Sequence, residues 1–117
     1  MFTTDLKVKS VDNDRWELTS MLKYVGINSI PVMVPKGFIV GLITIPQPFR
    51  AMLSISSAIA VHEWLYYKKG HSLGSQYTRK ECDMIFLEAM EASGVNYVMR
   101  YSLYWAVRLC GYDTWSN

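Results

Sequence analysis

Cysteine and histidine are scarce in this 117-residue chain, which holds two of each. Two cysteines, Cys82 and Cys110, are too few for a disulfide framework, and no cysteine–histidine cluster has zinc-ligand spacing. Both fall on expected helices among large apolar residues and are read as buried free thiols of a reducing compartment. Charge of one sign is also missing: 12 Lys and Arg face 10 Asp and Glu, a net charge of +2. Interspersed in this way, the charges form no broad footprint for nucleic acid, and no nucleic-acid partner is expected. Apolar stretches such as Phe38 to Ile43 are far too short to span a bilayer, so no transmembrane segment is expected. The segment Met1-Phe2-Thr3-Thr4-Asp5-Leu6-Lys7 has no apolar core of the kind a signal peptide needs, which points to a soluble chain made in a cytoplasm. Glycine-rich phosphate loops, repeats and low-complexity segments are absent as well.

What the chain does have is apolar content: half its residues are hydrophobic and 14% are aromatic, enough for a core of its own. One domain over residues 1–117 is expected, mainly β and extended over 1–50 and mainly α over 51–117. Leu6 to Val11 alternates, Asp12-Asn13-Asp14 supplies turn chemistry, and Trp16 to Thr19 alternates again. Ser29 to Val34 reads as a third strand, placed at an edge by Pro31. Phe38 to Pro48 is a strand or an extended loop crossing the core. A first helix is expected from about Ser54 to Lys68, closed by Lys69-Gly70. Thr78-Arg79-Lys80-Glu81 has the form of a capping box that starts a second helix, and Ser93-Gly94 stops it. Asn96 caps a third helix running to Gly111. The class is α+β: a small antiparallel N-terminal sheet of about three strands packed on a helical hairpin, plus a third C-terminal helix.

Two polar residues interrupt apolar helix faces. His62 shares its face with Ala58, Ile59, Leu65 and Tyr66; Asp83 shares its face with Phe86, Leu87 and Met90. A lone carboxylate on such a face needs a partner, because an unpaired buried charge is costly. About ten residues join the two helices, and in an antiparallel hairpin His62 and Asp83 come level. An Asp that accepts from one imidazole nitrogen fixes the tautomer and leaves the other nitrogen free as a general base. The same pair can instead be a buried register pin without catalysis. Glu63 projects about 100° from His62, toward a metal or a polar loop. Trp64, Tyr66 and Tyr67 read as aromatic packing. Lys68, Lys69, His71, Arg79 and Lys80 flank the hairpin loop and read as its solvated surroundings, the alternative being a seat for a phosphate or carboxylate helped by the N-terminus of the second helix. Ser54, Ser56 and Ser57 lie near the histidine without a nucleophile-elbow pattern.

Several motifs follow one another in a fixed order: Val34-Pro35-Lys36-Gly37-Phe38, Ile45-Pro46, Ala60-Val61-His62-Glu63-Trp64-Leu65-Tyr66, Thr78 to Met90, and Tyr104 to Gly111. In this the chain resembles the phage and prophage family catalogued as domain of unknown function thirteen fifty-three, from roughly Leu6 to Gly111. That resemblance implies a phage or prophage origin and supplies no established activity. The His-acid-x-x-Tyr run on one helix and Asp-x-x-Phe on the next are also similar to the helical hairpin of phospholipases A2. That second likeness implies His62 as general base, Asp83 as its orienting partner, Tyr66 as their support and Glu63 at the calcium-ligand position. The chain departs from the phage pattern at Gly41, where a carboxylate is usual, at Thr44, where serine is usual, and at Glu63, where aspartate is usual. Calcium takes six to eight oxygens from several carboxylates and carbonyls, and Gly41 removes one of them.

These readings favour a small phage protein that acts by assembly or binding, a virion- or tail-associated structural or accessory component carrying a degenerate His–Asp site. Its partners would be other phage structural proteins or further copies of itself. It would be made in the host cytoplasm and carried in the virion, with no cofactor. A phospholipase A2-like hydrolase with His62 as base, and calcium if any metal, is the alternative; an intracellular anti-host binding protein is a third.

Overall fold

The computed structural model describes residues 1–13, 15–26, 30–45 and 56–116. The expected Asp14 and Ser29 positions, the stretch from Pro46 to Pro48 and Ser54 lie outside them. Strands β1 (Val8–Asp12) and β2 (Arg15–Leu18) pair antiparallel, with Val8 opposite Leu18 and an irregularity between Ser10 and Asp12. Strands β3 (Leu22–Val25) and β4 (Pro31–Val34) form a second antiparallel ribbon, and β5 (Ile39–Val40) joins β2 with Val40 opposite Trp16. The three-stranded sheet is therefore β1-β2-β5. Leu18, Leu22, Tyr24, Val32, Val34 and Val40 turn inward and are buried.

The α+β class is as expected, but β3 lies where no strand was read. Its register explains why. Leu22 and Tyr24 are buried while Lys23 and Val25 are half-exposed, a four-residue alternation too short to stand out in sequence. Pro31 does begin β4, where a missing N–H costs least.

Helix α1 (Ser57–Tyr67) starts at Ser56, whose hydroxyl accepts from the Ile59 N–H. It is buried at Ala58 through Glu63 and again at Leu65 and Tyr66, so it is covered on nearly all sides instead of presenting one apolar stripe. Lys69 and Gly70 then take left-handed backbone angles, and the strands β6 (His71–Ser72) and β7 (Ser75–Gln76) make a small hairpin. Gly70 has φ +84°, and a Cβ there would lie 1.9 Å from the Tyr77 carbonyl oxygen. Gly70→Ala is accordingly expected to cost at least about 1–3 kcal/mol, read as a lower urea midpoint; an unchanged midpoint would show that the turn can rearrange.

Helix α2 (Arg79–Ala92) carries the expected capping box: the Glu81 N–H donates to Thr78 Oγ1 at 3.1 Å and the Thr78 N–H to Glu81 Oε1 at 2.8 Å. Helix α3 (Tyr97–Cys110) is capped by Asn96 and stops at Gly111, and a short α4 (Tyr112–Ser116) follows. Helix α2 packs between α1 and α3. The thiols part company here. Cys82 is buried, and burial with the neighbouring Asp83 charge pushes it up to about 12. Cys110 is exposed, contrary to the expected pair of buried thiols, because it lies in the last turn of α3, beyond Val107, the last buried residue of that helix. No helix among the described residues is long and apolar enough to cross a membrane.

Candidate functional site

Helix α1 places His62 toward α2 and Glu63 toward the turn after β5, and each meets a polar partner. His62 and Asp83 are both fully buried, with Nε2 2.7 Å from Asp83 Oδ1. The Tyr66 hydroxyl, one turn along, donates to the same Oδ1 at 2.7 Å. Phe86 stacks on the imidazole with ring centroids 4.4 Å apart. His62, Asp83 and Tyr66 come together as the helix faces require.

Two arginines complete the Asp83 environment. Arg108 Nη1 donates to Oδ2 at 2.9 Å, and Arg79, one turn before Asp83 on α2, lies 3.5 Å from the same oxygen. Arg79 also donates to the Val107 and Arg108 carbonyls, satisfying two acceptors at the end of α3. The i−4 spacing of Arg79 was a usable signal, though the sequence places it beside a loop. Nothing local marks Arg108, which reaches Asp83 across 25 positions. Gly111 belongs to the same corner: a Cβ there would come within 2.8 Å of the Tyr66 hydroxyl. Burial pushes the Asp83 carboxyl up, but hydrogen bonds from His62, Tyr66 and Arg108 outweigh it and hold the group below its usual range. Burial and the Asp83 partner drive the Tyr66 phenol upward, so it stays protonated.

The second nitrogen of His62 is engaged too. Nδ1 lies 2.9 Å from Thr44 Oγ1, which itself sits 3.3 Å from Glu63 Oε2. With the imidazole neutral and its proton on Nε2, the threonine hydroxyl donates to Nδ1. With both nitrogens protonated, Nδ1 donates to Thr44 and Thr44 to Glu63. Either way His62 keeps no lone pair for an outside substrate. This differs from the arrangement expected of a general base, whose second nitrogen is free. Burial of α1 on both sides is the reason.

Glu63 meets the polar turn. Its Oε1 accepts from the Gly41 N–H at 3.0 Å and its Oε2 from the Thr44 N–H at 3.1 Å. Leu42 between them has φ 57°, a left-handed angle that costs a leucine about 1–3 kcal/mol, and these bonds hold it. Gly41 supplies a backbone donor. The residues do not suit calcium: N–H groups point at the Glu63 oxygens, and among the described residues no group of three or more His, Cys, Asp or Glu could hold a metal.

Burial raises the Glu63 carboxyl above its ordinary value, only partly offset by the Thr44 and Gly41 donors. The two acids therefore act in opposite directions on stability. Asp83, lowered in the fold, contributes stability that is complete above about pH 4 and lost as pH falls through its folded value. Glu63, raised in the fold, contributes most below about pH 4.3 and loses that contribution as pH rises through its folded value. As pH falls through the folded Glu63 value the thermal midpoint is expected to rise, with Asp83 lowering it only below about pH 4. A pH scan on Glu63→Gln checks the assignment; parallel profiles for the two proteins throughout the range above about pH 4.3 would refute it.

A separate cleft of about 570 Å³ lies along the outer face of α2, lined by Tyr24, Val32, Met84, Ile85, Glu88 and Tyr101. It shares no residue with the His62 network. Of the other residues weighed from sequence, Ser56 is the α1 cap, Ser57 opens α1, and Ser54 lies outside the described residues. Trp64 and Tyr67 pack with Phe38 near the surface, and Lys68 lies over the Trp64 ring.

A family model described as a protein of unknown function (DUF1353) matches residues 16–107. The match takes in Gly41, Thr44, His62, Glu63, Tyr66, Arg79 and Asp83, and ends one residue before Arg108. No curated protein and no solved structure matches the chain significantly.

Proposed function

This chain belongs to the DUF1353 family of proteins of unknown function, and we propose that it works by binding and assembly, as a small phage component associated with the virion or tail. One observation carries this reading. The imidazole that would have to be the base is fully buried and bonded at both nitrogens, to Asp83 and to Thr44. A general base must reach the proton it removes, directly or through one water. Here the His62–Asp83–Arg108 network ties α1, α2 and α3 together, which is a register-setting role. Function then falls to the outer surface. The phage setting is what the family resemblance noted in the sequence implies.

Two experiments test the proposal. Purified protein, with and without calcium, is expected to release no product from phospholipid or peptidoglycan above the background of His62→Ala. Hydrolysis by the wild type that the variant lacks would establish the hydrolase instead. In purified phage particles, mass spectrometry is expected to find the chain; its presence in infected-cell lysate alone would point to an anti-host binding protein.

A further inference from the structure

The cleft along the outer face of α2 offers about 570 Å³, the room that a small organic molecule needs. Strands β3 and β4 supply Tyr24 and Val32, both buried, and Tyr77, just before α2, is buried as well. Helix α3 adds the half-buried Tyr101. On α2, Glu81, Met84, Glu88 and Glu91 follow one another three or four positions apart, which sets them on one face toward the cleft. The result is an apolar hollow with three tyrosines and three carboxylates. Among the described residues no Lys, Arg or His lines it.

The bonds around these carboxylates show what chemistry suits them. Glu81 accepts from the Thr78 N–H and Glu88 from the Tyr24 hydroxyl, and neither donor is a cation. Burial, then Glu88, push the Tyr24 phenol upward, so it stays protonated and donates. Glu91 differs: Arg100 lies 3.4 Å from it and also over the Tyr101 ring, 5.8 Å from the centroid. At one end of the cleft the fold thus seats a cation of its own between a glutamate and a tyrosine. We propose that the rest of the cleft binds a small organic cation, an ammonium joined to an aromatic or alkyl body. The body packs on Tyr24, Val32 and Ile85, and the ammonium reaches Glu88 and Glu81 beside the tyrosine rings. An anion of the same shape is repelled, and a neutral one leaves the carboxylates without a counter-charge. The chain as a whole carries +2, so net charge favours the anion and a preference for the cation has to come from the cleft. This site goes beyond the assembly reading and does not depend on it.

Phenethylamine, phenethyl alcohol and hydrocinnamate differ in charge at one end and little in size, and serve as the probes. In an NMR titration at about pH 7 the amine is charged. It is expected to bind with a Kd on the order of 1 mM, about tenfold more tightly than the alcohol, and the acid not detectably. Amide signals of Tyr24, Val32 and Met84 should shift, while those of His62 and Thr44 stay in place. Glu88→Gln keeps an acceptor for the Tyr24 hydroxyl and should remove most of the amine's advantage over the alcohol. Met84→Lys, at an exposed position, sets a competing cation in the cleft and should do the same, which guards against a folding effect of the first variant. An amine that binds no more tightly than the alcohol overturns the proposal, as do shifts that map away from the cleft or an advantage that both variants leave intact. Particle mass spectrometry is unaffected by any of these results, so the phage reading stands or falls separately.

Discussion

Asp83→Ala is expected to destabilise the fold by about 3–5 kcal/mol, the cost of removing one partner from a buried charge network. The carboxylate accepts from His62 and Tyr66 on one oxygen and from Arg108 on the other, with Arg79 at 3.5 Å. Alanine would leave two arginines that are mostly buried without their counter-charge, and would strand the imidazole N–H and the phenol O–H where water does not reach. Each stranded donor costs about 1–3 kcal/mol by itself, which places the total within that range once relaxation is allowed. Asp83→Asn should lose less, because the amide oxygen can still accept. Urea denaturation of both variants provides the check. A loss under about 1 kcal/mol for alanine would mean that solvent enters the network and that the three helices are not held by it.

The second large effect is at Glu63. Glu63→Ala removes the acceptor for the Gly41 and Thr44 N–H groups and for the Thr44 hydroxyl, and releases the left-handed Leu42 between them. A loss of about 2–4 kcal/mol is expected from these orphaned donors. It should be accompanied by faster amide hydrogen exchange at Gly41 and Thr44, while exchange in the middle of α2 changes less. If those two amides remain protected, another acceptor holds the turn and the role given to Glu63 is wrong. Glu63→Gln separates charge from shape: it keeps one side-chain oxygen for the turn and removes the titration. A moderate loss of stability with a flattened pH profile is the expected combination.

The helix ends and half of the site could be read along the chain. Thr78 and Glu81 make their reciprocal bonds within one turn, as do Ser56 with Ile59 and Asn96 with Met99, so capping follows from neighbours alone. His62 and Asp83 announced one another by sitting on apolar faces of helices joined by a short connection. Strand β3 was not legible, since four residues of alternation carry little signal, and the β6–β7 hairpin hides in the loop between α1 and α2. Cys110 was misjudged because burial of the last turn depends on what packs beside it.

Local bonding and face periodicity thus determine the α+β order, the caps and the meeting of His62 with Asp83. Only the tertiary structure decides what that meeting is for. Thr44 reaches His62 from 18 positions away, and Arg108 reaches Asp83 from 25. Contacts of that separation are set by how the β5 turn and α3 settle against a helix covered on nearly all sides.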